Sequence, residues 1–191
     1  MQTVKQPNHA INHIAISCVD LEGLVSWYSR HLGFELIGEI RHFNRRDHPG
    51  VFATIFVSYP EEMRELKFAV LTSGNGVGIE VFQFIDPKPK VREDPFDFAR
   101  VGVFHICVTD PDPVSLLAKI ERDGGKRVGG WMDYSRYGLA GHRGLYMQDP
   151  WGNVIEVMSL SIERVSSAGA AVSWAQEQMK KVEDTESSSQ L

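Results

Sequence analysis

Two histidines occupy matching positions in two similar stretches of the chain. His13 lies in the segment INHIAI and His105 in VFHICV, and each begins a short apolar run. An acidic turn and a helix-like apolar pattern follow in both copies. Each copy reaches a glycine 20 residues after its histidine, at Gly33 and Gly125 (33 − 13 = 20; 125 − 105 = 20). An internal repeat of this kind predicts two copies of one structural unit.

Each copy also ends on a glutamate between two apolar residues, in Ile79-Glu80-Val81 and Ile155-Glu156-Val157. Successive side chains of a strand point to opposite faces, so each glutamate is turned away from its apolar neighbours. A carboxylate on the concave side of a sheet is costly unless a cation or several donors compensate it. The same arrangement at two matched positions indicates one shared compensator.

Two neutral imidazoles and two carboxylates suit a divalent metal ion such as Zn²⁺, Fe²⁺, Ni²⁺, Co²⁺ or Mn²⁺. Such a four-ligand set leaves one or two positions for substrate or water. The alternative is that the histidines are satisfied core residues and that the glutamates pair with nearby arginines. The duplication favours the metal interpretation.

The elements that position these residues are a strand, a helix and about three further strands, used twice. Asp20 is expected to cap the first helix and Gly33 to end it. Asp112 caps the second helix, which closes at Gly124-Gly125. The remaining strands are predicted at residues 35–40, 52–58, 66–71 and 78–84, near Trp131, and at residues 145–148 and 153–160.

The expected domain organisation follows from this repeat. A flexible N-terminus at 1–9 precedes one domain at 10–162, and a tail follows at 163–191. The domain consists of module 10–86, linker 87–100 and module 101–162. Three prolines and many charges mark the linker. In the tail we predict a helix over 170–182 and disorder over 183–191.

Composition excludes several classes of function. With 191 residues and 42% hydrophobic residues the chain can form one ordinary domain. A net charge of −5 argues against nucleic acid as a partner. The sequence has neither a membrane span nor a signal peptide, which predicts a cytoplasmic protein. Cys18 and Cys107 lie in apolar runs and are expected to be reduced and structural.

Over residues 10 to 162 the chain resembles the vicinal oxygen chelate superfamily. The resemblance rests on NHIAI with DLE and WYSRHLGF, on GIEVF, on FHICV and on DPWGNVIEV. It implies an α+β fold in which two βαβββ modules form a cup-shaped mixed sheet around one divalent metal. The family's ligand positions fall on His13, Glu80, His105 and Glu156. It also implies a homodimer, or modules joined within one chain.

The family's shared chemistry is chelation of two neighbouring substrate oxygens. The metal acts as a Lewis acid where negative charge develops, and a carboxylate moves the proton. Glutamate at both fourth-strand positions matches the glyoxalase I pattern best. Glu80 and Glu156 are then both ligands and proton-transfer candidates.

Two positions distinguish this chain from glyoxalase I. Ser17 stands where bacterial glyoxalase I has an arginine, and Phe84 where it has an asparagine, both for holding glutathione. Methylmalonyl-CoA epimerases share the N-H-x-A-I opening but usually have glutamine in place of Glu80. We therefore predict a metal-dependent lyase or isomerase acting through an enediolate or enolate on a small, less polar substrate without glutathione.

Two alternatives stay open. Tyr146 stands ten residues before Glu156 (156 − 146 = 10), as in Fe²⁺-dependent extradiol dioxygenases that open a catechol or hydroquinone ring. His142 is close to the histidine of that pattern but out of register, and such sites use only one glutamate. The other alternative is a metal-free binding protein of the bleomycin-resistance kind, which generally lacks the ligand set.

The rim of the pocket is predicted from two loops, at residues 41–51 and 131–143. The first is basic and the second mixes aromatic, basic and glycine residues. Arg136, Tyr137 and His142 are the predicted substrate contacts, together with Phe84. The expected partner is an aromatic or polyketide-like small molecule.

Overall fold

The chain forms two compact units, Met1–Glu93 and Asp94–Leu191. The computed structural model describes residues 8–91, 93 and 96–188, so most of the predicted flexible N-terminus lies outside the described residues. The division between the units falls inside the predicted linker. Met1–Glu93 is module 1 and Asp94–Leu191 is module 2.

Module 1 is a mixed sheet with one helix on each face. Its elements are β1 (His13–Ser17), α1 (Leu21–Leu32), β2 (Glu35–Leu36), β3 (Arg41–Asn44), α2 (Pro49–Thr54), β4 (Glu65–Thr72) and β5 (Gly78–Asp86). The strand order is β1-β5-β4-β2, with β3 also on β4. Strand β1 runs parallel to β5, and the other pairs are antiparallel.

Helix α1 has the predicted ends. The Asp20 side chain accepts a hydrogen bond from the Gly23 N–H, and Gly33 ends the helix in the left-handed region at φ 68°. The buried residues of the helix include Trp27 and Tyr28. They pack on the sheet face that carries the buried Ile79 and Val81.

The predicted strand at residues 52–58 is wrong, because Pro49–Thr54 is helical and turns follow. Proline suits the first helical turn, and Phe52 and Phe56 are four residues apart, which brings them to one face of a helical segment. Both rings are buried against Leu66 and Phe82 of the sheet. This packing against the sheet favours the helix over a further strand.

The predicted rim loop at 41–51 also contains a strand, β3 (Arg41–Asn44). The ring of its second residue, His42, lies 2.8 Å from the Glu65 carboxylate at the start of β4. Between β2 and β3 the chain turns at Gly38, whose φ is 72°. Strands β2 and β3 are therefore two pieces of one strand, both paired with β4.

Module 2 has the βαβββ order without such an interruption. Its elements are β6 (His105–Thr109), α3 (Pro113–Arg122), β7 (Lys126–Asp133), a short 3₁₀ helix (Ser135–Tyr137), β8 (Arg143–Gln148), β9 (Val154–Met158) and α4 (Ile162–Ser188). The sheet order is β6-β9-β8-β7. Strand β6 is parallel to β9, and the other pairs are antiparallel.

Helix α3 also has the predicted ends. The Asp112 side chain accepts from the Ser115 N–H, and Pro113 occupies the first helical turn. Gly124 follows the helix at φ 82°. At Gly125 the chain passes so close to Ile120 that no side chain fits between them.

The tail differs from the prediction. Helix α4 runs from Ile162 to Ser188, so it begins before residue 170 and includes residues 183–188, which were predicted to be disordered. Residues 189–191 lie outside the described part of the chain. The early turns of the helix contact the 3₁₀ segment, where the Tyr137 ring lies against Gly169. This tertiary contact compensates for the weak helix propensity of serine and glycine there.

The fold class is confirmed. The structure has two mixed sheets and four α-helices in its described residues, with one helix at the C-terminal end. None of the described helices is long and apolar enough to cross a membrane.

The close approach at Gly125 gives a test of how module 2 is packed. A Cβ atom there would overlap Ile120 Cγ2 and lie 2.7 Å from the Gln148 carbonyl oxygen. Gly125→Ala should lower the free energy of unfolding by about 1–3 kcal/mol in urea denaturation. Gly130→Ala, where a Cβ meets no atom within 4 Å, is the matched control and should have little effect. Equal stability of the two variants would contradict this packing.

Candidate metal centre

In module 1, strand register brings the first histidine beside the glutamate. His13 pairs with Gly78 and Ala15 with Glu80, so His13 and Glu80 are diagonal neighbours on one face of the sheet. His13 Nε2 lies 3.5 Å from Glu80 Oε2. The histidine side chain is 49% exposed and the glutamate 28%, so neither is fully interior. Gly78 leaves room for the imidazole, because a Cβ there would lie 3.0 Å from His13 Cβ.

The other ring nitrogen of His13 is held by the preceding residue. Asn12 Oδ1 lies 2.8 Å from His13 Nδ1, and a carboxamide oxygen can only accept. With the carboxamide oxygen toward the ring, Nδ1–H donates to Asn12, and in the neutral ring of this tautomer the lone pair is on Nε2, which lies toward Glu80. A hydrogen bond of this kind to the remote nitrogen is typical of metal-binding histidines.

Module 2 repeats the pair between β6 and β9. Cys107 pairs with Glu156, and His105, two residues earlier, lies diagonally beside that glutamate. His105 Nε2 is 3.2 Å from Glu156 Oε2. This pair is more enclosed, since the side chains are 26% and 14% exposed.

The second nitrogen of His105 has no such support. His105 Nδ1 is buried without a hydrogen-bond partner. The position that Asn12 fills in module 1 is taken here by Phe104, whose ring centroid is 4.5 Å from that of His105. A buried polar atom without a partner costs about 1–3 kcal/mol.

Both pairs have the spacing of two ligands on one ion. Donors bound at about 2.0–2.2 Å in tetrahedral or octahedral geometry are separated by about 3.0–3.5 Å. The observed separations are 3.5 Å and 3.2 Å. Each pair thus fits a divalent cation by donor chemistry and distance. Within the described residues, no group of three or more His, Cys, Asp or Glu side chains could hold a metal ion.

Aromatic side chains continue the Glu80 face of module 1. Phe82 follows Glu80 by two residues on β5, and its ring stacks on that of Phe84 at 5.7 Å and an interplanar angle of 9°. Phe68 of β4 and Tyr59 of the α2 segment, which is α2 together with the turns that follow it as far as Tyr59, contact the same rings. The predicted substrate contact Phe84 therefore belongs to an aromatic surface on the same side of the sheet as Glu80.

Tyrosines occupy the corresponding face of module 2. Tyr146 of β8 is the direct cross-strand neighbour of Glu156, and its ring centroid lies 5.4 Å from that of His105. Burial and the negative charge of Glu156 raise the pKa of Tyr146. The same two causes raise the pKa of Tyr134 to about 12. Both hydroxyls are therefore neutral at physiological pH and can donate hydrogen bonds on this face.

Cys107 is on this face as well, and it is a free cysteine, as is Cys18. Cys18 is buried, but Cys107 is exposed, because its side chain turns to the side of His105 and Glu156. Loss of hydration on the sheet surface and the charge of Glu156 raise the pKa of the Cys107 thiol to about 12. At neutral pH it is a thiol, not a thiolate.

The three predicted contacts of the second loop lie around the short 3₁₀ helix. The Arg136 guanidinium is 4.8 Å from the centroid of the Tyr137 ring. His142 Nδ1 lies 3.2 Å from the Ser159 hydroxyl. None of the described contacts joins these three residues to His105 or Glu156. Their role in binding substrate stays a prediction.

The basic first loop has structural partners. Arg45 donates to the backbone carbonyls of Met63 and Pro60 and lies over the Phe52 ring. Arg46 pairs with Asp47. Arg45, directly after β3, therefore links the end of that strand to α2 and to the chain that follows α2.

Four residues beside the His–Glu pairs or on their faces were not predicted from the sequence: Asn12, Phe96, Phe104 and Tyr134. Asn12 and Phe104 could have been found, because each directly precedes a repeated histidine. Phe96 contacts Tyr146 from the segment predicted as a linker. Its partner is distant in sequence, so no local pattern marks it.

The comparisons with known proteins agree with this architecture. A family model for the glyoxalase/bleomycin resistance protein/dioxygenase superfamily matches residues 10–157. The chain belongs to that superfamily. A search of curated proteins gave no match.

Solved structures show the same fold at low sequence identity. A glyoxalase family protein from Bacillus cereus is 16% identical with a TM-score of 0.65, covering 82% of this chain and 97% of its own. A mutant of the fosfomycin resistance protein FosX from Listeria monocytogenes, complexed with Mn(II) and 1S,2S-dihydroxypropylphosphonic acid, is 12% identical with a TM-score of 0.53, covering 83% and 98%. A mutant of glyoxalase I from Zea mays is 17% identical with a TM-score of 0.51, and the match covers 79% of this chain and 45% of the maize chain.

The raised pKa of Tyr134 predicts a loss of stability in alkali. The unfolded tyrosine ionises near its ordinary pKa of 10.0, whereas the folded one does so at about 12. Above pH 10 the unfolded state therefore binds fewer protons, and the free energy of unfolding falls as pH rises. Urea denaturation of metal-free protein at pH 9 and pH 11 should show a larger loss for wild type than for Tyr134→Phe. Equal losses would contradict the raised pKa.

Proposed function

We propose that the protein is a metal-dependent lyase or isomerase that moves a proton next to a carbonyl on a small substrate with two vicinal oxygens. The observation that carries this proposal is the duplicated His–Glu pair, with each pair at ligand spacing on the face of its sheet opposite the main helix. Superfamily membership is consistent with it.

The proposed metal site joins His13 and Glu80 with His105 and Glu156. Each pair supplies two donors, whereas protein sites of this kind use three or four, so a complete site needs both modules. The modules can meet within one chain or between two chains of a homodimer.

When bound, a divalent cation would supply Lewis-acid stabilisation of the enediolate or enolate. The chain's own residues must hold and move the proton. Glu80 and Glu156 are the carboxylates in position to do so. Tyr134 and Tyr146 remain neutral beside Glu156 and can donate hydrogen bonds to a substrate oxygen.

The walls favour a substrate with an apolar or aromatic body. Phe84, which is partly exposed at the end of β5, extends the Glu80 face, and Ser17 is the only polar group of β1 on that face beyond His13. Neither Ser17 nor Phe84 supplies a charge or an amide for glutathione. We therefore propose an aromatic or polyketide-like substrate without glutathione, in a cytoplasmic protein.

Metal titration of chelator-washed protein tests the site. Wild type should bind one divalent ion per chain, and His13→Ala/Glu156→Gln should lower the affinity by more than about 100-fold, since two ligands are lost. Zn²⁺, Mn²⁺ and Ni²⁺ are measured separately by competition with a coloured chelator.

The matched control is His9→Ala/Glu121→Gln, which removes an exposed histidine and an exposed glutamate elsewhere. It should bind like wild type. Unchanged stoichiometry and affinity in His13→Ala/Glu156→Gln would exclude the proposed ligands. Small-molecule binding without any metal uptake would favour a metal-free binding protein.

One observation favours a second candidate, an Fe²⁺-dependent extradiol-type dioxygenase. Tyr146 is adjacent to both His105 and Glu156. In this candidate Glu80 is not a ligand. Oxygen uptake by Fe²⁺-loaded protein with catechols and hydroquinones should then depend on Tyr146 and persist in Glu80→Gln. No uptake across the panel would reject this candidate.

A further inference from the structure

In both histidines Nε2 faces the glutamate, and the two residues differ in the hydrogen bonding of the other ring nitrogen, Nδ1. His13 Nδ1 lies 2.8 Å from Asn12 Oδ1, whereas His105 Nδ1 is buried without a partner. The repeat aligns Asn12 with Phe104, so one substitution between the copies accounts for the difference. The strand registers around the two histidines are equivalent.

We propose that Asn12 is a positioning residue for His13. By accepting from Nδ1–H it selects the tautomer whose lone pair is on Nε2, the atom 3.5 Å from Glu80 Oε2. The other tautomer would place a proton on Nε2 and could not bind a cation there. This inference rests on the proposed function for its metal, but the tautomer itself is a property of the metal-free chain.

The location of Asn12 suits this role. Its backbone carbonyl accepts from the Gly78 N–H at 2.9 Å, which fixes the residue at the start of the β1–β5 pairing. Its side chain contacts the imidazole of the next residue, which is half exposed. Without the carboxamide, water would compete for Nδ1 and the ring would be free to rotate.

The two modules should therefore contribute unequally to cation binding. In module 1 the imidazole is exposed but held in one tautomer. In module 2 it is enclosed by Phe104 and Tyr146, and its orientation is set by ring contacts instead of a hydrogen bond. Without Asn12, His13 Nδ1 would have no protein hydrogen-bond partner, like His105 Nδ1. Unlike His105, however, His13 has no enclosing aromatic rings among the described residues to hold it.

The test uses the full chain with the histidines labelled by ¹⁵N. In metal-free protein at pH 8, the His13 ring nitrogens should show the Nδ1–H tautomer in wild type and a shift toward Nε2–H in Asn12→Leu. Asn12→Asp keeps an acceptor and should keep the wild-type tautomer. Asn75→Leu removes a carboxamide that contacts Ser73 in the same module and should leave His13 unchanged.

The second readout is cation affinity, with Zn²⁺ alone as the probe. Asn12→Leu should bind about 10–100-fold more weakly than wild type, as expected for loss of a hydrogen bond to a ligand, and Asn12→Asp should restore binding. Three results would each overturn the inference. The first is a mainly Nε2–H tautomer in wild type, and the second is an unchanged tautomer in Asn12→Leu. The third is a changed tautomer in Asn12→Leu with unchanged Zn²⁺ affinity. If wild type binds no cation, the proposed function fails, while the tautomer arm still decides whether Asn12 orients His13.

Discussion

The parallel pairing of the first and last strands of each module is the constraint on which the candidate site depends. In both copies the histidine lies two residues before the residue that pairs with the glutamate, so both side chains are on the same face. Because side chains alternate along a strand, a slip of one residue would send a carboxylate to the face that packs against the helix. The buried apolar residues on either side of Glu80 and Glu156 prevent this slip. Core packing and ligand geometry are therefore set by the same register.

The placement of each histidine beside its glutamate could be predicted, because the alternation of apolar and polar residues in the sequence fixes which face each side chain takes. Ile79 and Val81 mark the buried face, and Glu80 between them must point away from it. Nothing so local marks the packing of Phe52 and Phe56. A short apolar run fits a strand or a helix equally well, and only the aromatic face of β4 and β5 decides for the helix. The tail extends for a similar reason, through a contact with a 3₁₀ turn that no pattern reveals.

The same two ligand types are embedded in different surroundings. In module 1, aromatic rings from the α2 segment cover the end of the glutamate face, and an asparagine holds the histidine. In module 2, tyrosines and a protonated thiol surround the glutamate, and the histidine has ring contacts alone. Sequence repetition predicts equivalent surroundings for the two His–Glu pairs, but the structure shows that the residue types and the strand register are repeated and the surroundings are not. One module is therefore suited to contact an apolar body, and the other to donate hydrogen bonds to oxygen.

Each His–Glu pair also lies where the first and last strands of its module meet. His13 and Gly78 are 65 positions apart in the chain, and His105 and Val154 are 49 apart (78 − 13 = 65; 154 − 105 = 49). Joining such distant strands carries an entropic cost that grows with the length of the loop. A cation held by a histidine on the first strand and a glutamate on the last would act as a cross-link across that loop. Occupancy of the site would then be coupled to folding of the module, so that the ion would stabilise the folded state as well as take part in the chemistry.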